Sequence, residues 1–135
     1  MNYYTSQFAR HRDGPPSDSD YLGNVDELQS NKEGRPVGEE SGLHWLRSCP
    51  QMFRKHLTRV YRLYGKPIYI TENGCPCPGE DKMTCEESVN DEYRQRYFQD
   101  HLDSIGRSII EDVSVISGYF AWSLMDNLGT FSLHG

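Results

Sequence analysis

The chain has 135 residues, enough for one domain at the common size of about 100–150 residues. Only 36 % of it is hydrophobic, the mean hydropathy is −0.76, and the net charge is −6 with a pI near 5.3. That balance, with no apolar run approaching the ~20 residues of a membrane helix, argues against membrane, nucleic acid or a coiled coil.

In chain order, Met1 to Thr5 reads as a strand fragment. No basic region followed by an apolar stretch marks a secretory signal, so the cytoplasm is the expected location. Residues Arg10 to Leu43 are rich in Gly, Pro, Ser, Asp and Asn and show neither helical nor strand periodicity. They predict a long surface loop, either functional or a poorly ordered linker. Pro50 opens a helix at a position where its missing N–H costs nothing. Phe53, Leu57, Val60, Tyr61 and Tyr64 share the apolar face, and Gly65 stops the helix before Pro67. Arg54, Lys55, Arg59 and Arg62 form the opposite, solvated face.

Pro67-Ile68-Tyr69-Ile70-Thr71 reads as a short buried strand. Cys75, Cys77 and Cys85 then crowd into eleven residues, with Cys49 upstream. A single residue between Cys75 and Cys77, and that a proline, suits no zinc spacing, so no metal is expected and the thiols read as unpaired loop residues. A second helix begins near Ser88, where Ser88-x-x-Asp91 resembles a capping box, and carries Tyr93, Tyr97, Leu102, Ile105 and Ile109 on one face. Gly118-Tyr119-Phe120-Ala121-Trp122-Ser123-Leu124 reads as a further strand, too apolar for one face to be wet. Strand, helix, strand, helix, strand with near-continuous apolar strands predicts parallel β/α units. Three such strands cannot close a barrel and leave both sheet edges unpaired, so the segment reads as part of something larger.

Thr71-Glu72-Asn73-Gly74 follows the first buried strand. The carboxyl ends of barrel strands face the active site, which suits a catalytic carboxylate. Taken alone, a Glu after an apolar strand is more often an exposed loop carboxylate. Asn73-Gly74 predicts a sharp turn with positive φ that leaves Glu72 at the mouth.

The run Ile68-Tyr69-Ile70-Thr71-Glu72-Asn73-Gly74, the Asn2-Tyr3-Tyr4-Thr5 opening, and Gly118-Tyr119-Phe120-Ala121-Trp122-Ser123-Leu124-Met125-Asp126-Asn127 occur in one order. Together they resemble glycoside hydrolase family 1, the retaining β-glucosidases, in its fungal form. The resemblance covers residues 1–128 as the C-terminal part of the barrel and leaves 129–135 as a divergent tail. It implies an α/β fold, a partial (β/α)8 TIM barrel contributing strands six to eight with their helices. It further implies hydrolysis of terminal β-D-glucosyl groups from β-glucosides or cello-oligosaccharides by double displacement, with no cofactor, because two carboxylates do the chemistry.

On that resemblance Glu72 is the nucleophile, and Tyr4 is the tyrosine whose hydroxyl supports it. Trp122 packs against the sugar in the innermost subsite, an indole face suiting the C–H-rich face of a pyranose. Asn2 matches a polar position near the sugar. Trp45 matches a tryptophan on the entrance loop, where it lines the aglycone side or packs the loop. Without the family, Trp122 reads as core, as a strand Trp mostly is, and Tyr4 could be simple barrel core.

Two departures stand against these matches. The acid/base Glu of the family lies in an Asn-Glu-Pro motif that does not occur in these 135 residues. After Asp126-Asn127 the family reads Phe-Glu-Trp, whereas this chain reads Leu128-Gly129-Thr130, so Gly129 stands where a hydroxyl-gripping carboxylate is expected. The isolated chain is therefore expected to be inactive. Two rival readings remain: a non-catalytic sugar-binding or interaction fragment using Trp122 and Trp45, and a Cys-rich module built on residues 75–85.

Overall fold

The computed structural model describes residues 1–14 and 23–125. Its centre is a parallel sheet. Strand β5 (Ile68–Ile70) pairs in parallel with β6 (Ile116–Tyr119), and the chain at Asn2 forms a parallel bridge with Glu72 on the other side. Thr71 N–H donates to the Met1 carbonyl at 2.9 Å and Tyr3 N–H to the Glu72 carbonyl at 3.0 Å. Three parallel segments thus lie side by side, as the alternation of apolar runs and helices predicts.

Helix α1 (Pro50–Tyr64) crosses from the first segment to β5, and α3 (Glu92–Ile110) from β5 towards β6. Pro50 starts α1, and Gly65 ends it in the left-handed conformation, φ 59°, its N–H bonding the Tyr61 carbonyl. Phe53 and Leu57 of α1, Ile105 of α3, Ile68 and Ile70 of β5, and Tyr3 form one core. The Tyr3 and Phe53 rings stack at 4.4 Å. A second cluster joins Leu46, Cys75 and Tyr97, with Tyr4, Tyr93 and Phe98 packed against it.

Several expectations need correction. Tyr64, the last residue of α1, is exposed rather than on the buried face, which packs on the core only as far as Val60 and Tyr61. On α3 the buried positions are Tyr97, His101, Ser104, Ile105 and Ser108, which share one helical stripe, while Leu102 and Ile109 are exposed. His101 Nδ1 lies 2.8 Å from the Tyr97 carbonyl. A carbonyl only accepts, so Nδ1 carries the proton. Burial pushes this imidazole below its ordinary pKa and keeps it neutral.

The second helical region opens earlier than Ser88. A short helix α2 (Cys85–Val89) is capped by Thr84, whose hydroxyl accepts from Glu87 N–H while the Glu87 carboxylate accepts from Thr84 N–H. Asp91 caps α3 separately, accepting from Arg94 N–H.

The predicted loop between Arg10 and Leu43 is also partly structured. β1 (Phe8–His11) pairs antiparallel with β2 (Val25–Leu28), and β3 (Glu39–Glu40) with β4 (Arg47–Ser48). Arg10 bonds Asp26 across the first pair, and Arg47 bonds Glu40 across the second. The predicted strand 118–124 begins earlier and ends earlier, at Ile116–Tyr119, and Phe120 and Leu124 are exposed. All four cysteines are free thiols: Cys49 precedes α1, Cys85 opens α2, and Cys75 is buried.

Candidate active site

Glu72 stands immediately beyond β5, at the carboxyl end of the parallel sheet, half-buried and next to three buried residues, Asn73, Gly74 and Cys75. Tyr4 reaches it from the neighbouring segment, its hydroxyl donating to Glu72 Oε2 at 2.6 Å. This is a charge-assisted bond, stronger and shorter than a neutral one. Burial and the adjoining carboxylate raise the Tyr4 phenol well above its ordinary range, so it stays protonated and able to donate. Among the described residues no hydrogen bond reaches Glu72 Oε1.

Asn2 is exposed beside Glu72 on the bridging segment, and its Oδ1 accepts from the Thr71 hydroxyl at 2.6 Å. Trp122, 46 % exposed, follows β6 and is drawn to the site by its backbone. Its N–H donates to the Asn73 carbonyl at 2.8 Å. Its own carbonyl oxygen lies only 1.9 Å from where a Cβ on Gly74 would stand. The Trp122–Ser123 peptide is cis.

The Asn73-Gly74 turn needs correction: neither residue has positive φ. Glycine is required at position 74 by the approach of the Trp122 carbonyl, not by a left-handed turn.

Trp45 is 37 % exposed and precedes Leu46, which is fully buried against Cys75 and Tyr97 and has Tyr4 packed alongside. The structure therefore brings Tyr4, Glu72 and Asn2 together directly, joins Trp122 through Asn73 and Gly74, and attaches Trp45 through the packing of Leu46. Asp126, Asn127, Gly129 and the tail lie outside the described residues. Sequence reasoning missed Asn73 as more than a turn residue. Its signal was an amide side chain directly after a buried strand, where burial obliges every polar atom to find a partner.

No metal-binding group of three or more His, Cys, Asp or Glu occurs among the described residues. Burial pushes the Cys75 thiol up to about 12, so it is inert rather than nucleophilic. A groove of about 840 Å³ lies elsewhere, between α1 and α3, lined by Arg54, Lys55, Arg59, Arg62, Ser104 and Arg107 among others. None of the site residues lines it. No helix is long and apolar enough to cross a membrane.

Parallel β/α units with a carboxylate at the carboxyl end of a strand are what a piece of a (β/α)8 barrel presents, and solved structures show that the chain is part of that fold. It superposes on beta-glucosidase 2 from Trichoderma reesei, in complex with Tris, with a TM-score of 0.91 and 42 % identity over 94 % of this chain and 28 % of that one. The beta-glucosidase from Humicola insolens, in complex with glucose, gives 0.90 and 40 % over 94 % and 27 %.

The model for glycosyl hydrolase family 1 matches residues 1–133, and the chain belongs to that family. Among curated relatives, Beta-glucosidase 1B from Phanerodontia chrysosporium is 34 % identical over 127 residues, which are 94 % of this chain and 23 % of the relative. The chain thus spans about a quarter of the length of the relatives it matches.

Proposed function

We propose that Glu72 is the nucleophile of a retaining β-glucosidase site, and that this chain supplies strands six to eight of the barrel. The observation that carries the reading is the 2.6 Å bond from Tyr4 to one oxygen of a carboxylate at the end of a parallel strand. The Tyr4 donor holds Oε2 in place, and attack falls to the other oxygen.

In the first step a Glu72 oxygen bonds the anomeric carbon of a terminal β-D-glucosyl group as the bond to the leaving oxygen breaks. A second carboxylic acid protonates that oxygen. Water then displaces Glu72, with the second group acting as base. Retention sets the two carboxyls about 5–5.5 Å apart. The second carboxylate comes from outside these 135 residues, since the chain has no Asn-Glu-Pro. Trp122 offers the sugar an apolar face, Asn2 a polar contact, and Trp45 the aglycone side. The substrates are β-glucosides, the class that the beta-glucosidase relatives support, or short cello-oligosaccharides.

The test grafts this segment in place of the corresponding part of a fungal family barrel and treats the product with a 2-fluoro glucoside trap. Mass spectrometry of the digest should find the sugar esterified to Glu72. A label on Glu80, Asp126 or any other carboxylate refutes the assignment.

A further inference from the structure

Asn73 is fully buried, and every hydrogen-bonding atom of its side chain is used. Nδ2 donates to the Tyr3 carbonyl at 2.8 Å and to the Tyr97 hydroxyl at 2.8 Å, and Oδ1 accepts from the Tyr119 hydroxyl at 2.8 Å. The Tyr3 carbonyl can only accept, which fixes the amide orientation. One residue thereby ties together the N-terminal segment, β5, β6 and α3.

The Tyr3 contact matters most. Tyr3 N–H donates to the Glu72 carbonyl, while the Tyr3 carbonyl is held by Asn73. Both peptide units of Tyr3 are thus gripped by consecutive residues at the end of β5. The second of those units leads directly into Tyr4. The same asparagine holds the Trp122 N–H through its backbone carbonyl.

We propose that Asn73 is the positioning residue that sets the Tyr4–Glu72 hydrogen bond, by locking the peptide between Tyr3 and Tyr4 against the end of β5. The inference deepens the reading of Glu72 and rests on it for its catalytic meaning, though the geometry it describes stands independently. Besides Glu72, the titratable groups around Asn73 are Tyr3, Tyr97, Tyr119 and Cys75, with His101 stacked on Tyr97. Burial pushes the first four up and His101 down, so all five are neutral near pH 7. Removing Asn73 or the Tyr119 hydroxyl therefore changes no charge near Glu72.

The experiment uses the full chain with tyrosine labelled by ¹³C at Cζ, a nucleus sensitive to what the phenol donates to. Tyr4→Phe assigns the signal, and Glu72→Ala marks its position without the acceptor. Asn73→Ala should carry the Tyr4 signal at least half of the way to that position. Tyr119→Phe, a milder change, should move it in the same direction by less. Added to Glu72→Ala, Asn73→Ala should move it no further. A Tyr4 signal fixed at its wild-type position in both variants, with only the melting temperature lowered, would show that Asn73 is structural and overturn the proposal. So would a full additional shift in the double variant. If Asn73→Ala does not fold, Tyr119→Phe decides. A covalent label away from Glu72 would remove the catalytic reading and leave these shifts unchanged, so the two failures are distinguishable.

Discussion

Gly74 has no room for a side chain. An added Cβ would lie 1.9 Å from the Trp122 carbonyl oxygen, and because that atom is backbone, it cannot swing aside. Gly74→Ala should therefore destabilise the chain by about 1–3 kcal/mol or more, as overpacking does. Gly106, within α3, meets nothing within 4 Å, and Gly106→Ala should instead stabilise by about 0.5–1 kcal/mol through helix propensity. Denaturant midpoints of the two variants, compared with the parent chain, should move in opposite directions. At this scale the motif residues were legible: Glu72, Tyr4 and Trp122 each carry a recognisable neighbourhood in the sequence. The partners of Asn73 were not, because they come from residues 3, 97 and 119, which only the folded chain brings together.

Between α1 and the end of α3, Arg54 holds Asp112 by two bonds at 2.7 and 2.9 Å and Glu111 at 2.7 Å, while the Thr58 hydroxyl donates to Asp112. The guanidinium and then the hydroxyl lower the Asp112 pKa from 3.8 to about 2. A carboxyl depressed on folding stabilises the folded chain above its unfolded pKa and loses that contribution as pH falls through its folded value. The stability arising here should therefore disappear between about pH 4 and pH 2. Asp112→Asn should flatten that part of a stability-against-pH curve; an unchanged slope would show that the pair contributes nothing there.

Periodicity puts Arg54 on a solvated basic face, and here it reaches its limit: it identifies a face but not what crosses to it. Helix α1 was legible because Pro50 and Gly65 punctuate it. The start of the second helical region was displaced because Thr84-x-x-Glu87, a better capping box than Ser88-x-x-Asp91, lies four residues earlier. The two short antiparallel pairs escaped notice because Phe8-Ala9-Arg10-His11 and Glu39-Glu40 show no apolar alternation. Their cross-strand bonds are ionic rather than packed.

Across the whole molecule, the parallel order of the strands was legible because apolar strands alternated with helical patterns. What covers their far side was not. Ile68 and Ile70 are buried, whereas Tyr69 between them is 54 % exposed. Glu72 stands on a sheet of only three parallel segments among the described residues, with no second carboxylate in an Asn-Glu-Pro context. On the proposed mechanism, lacking a general acid costs about 10²–10⁴-fold. The 135-residue chain should show no Glu72-dependent turnover of nitrophenyl β-glucoside. Hydrolysis by purified monomer that disappears in Glu72→Ala would contradict this.

The three parallel segments end, on both flanks, in backbone groups that no further strand meets among the described residues. If the proton donor rides on a different stretch of polypeptide, those flanks are where that stretch must seat itself before any bond can break. The rate would measure assembly as much as chemistry, and a substitution far from the sugar could silence the site by spoiling the seam.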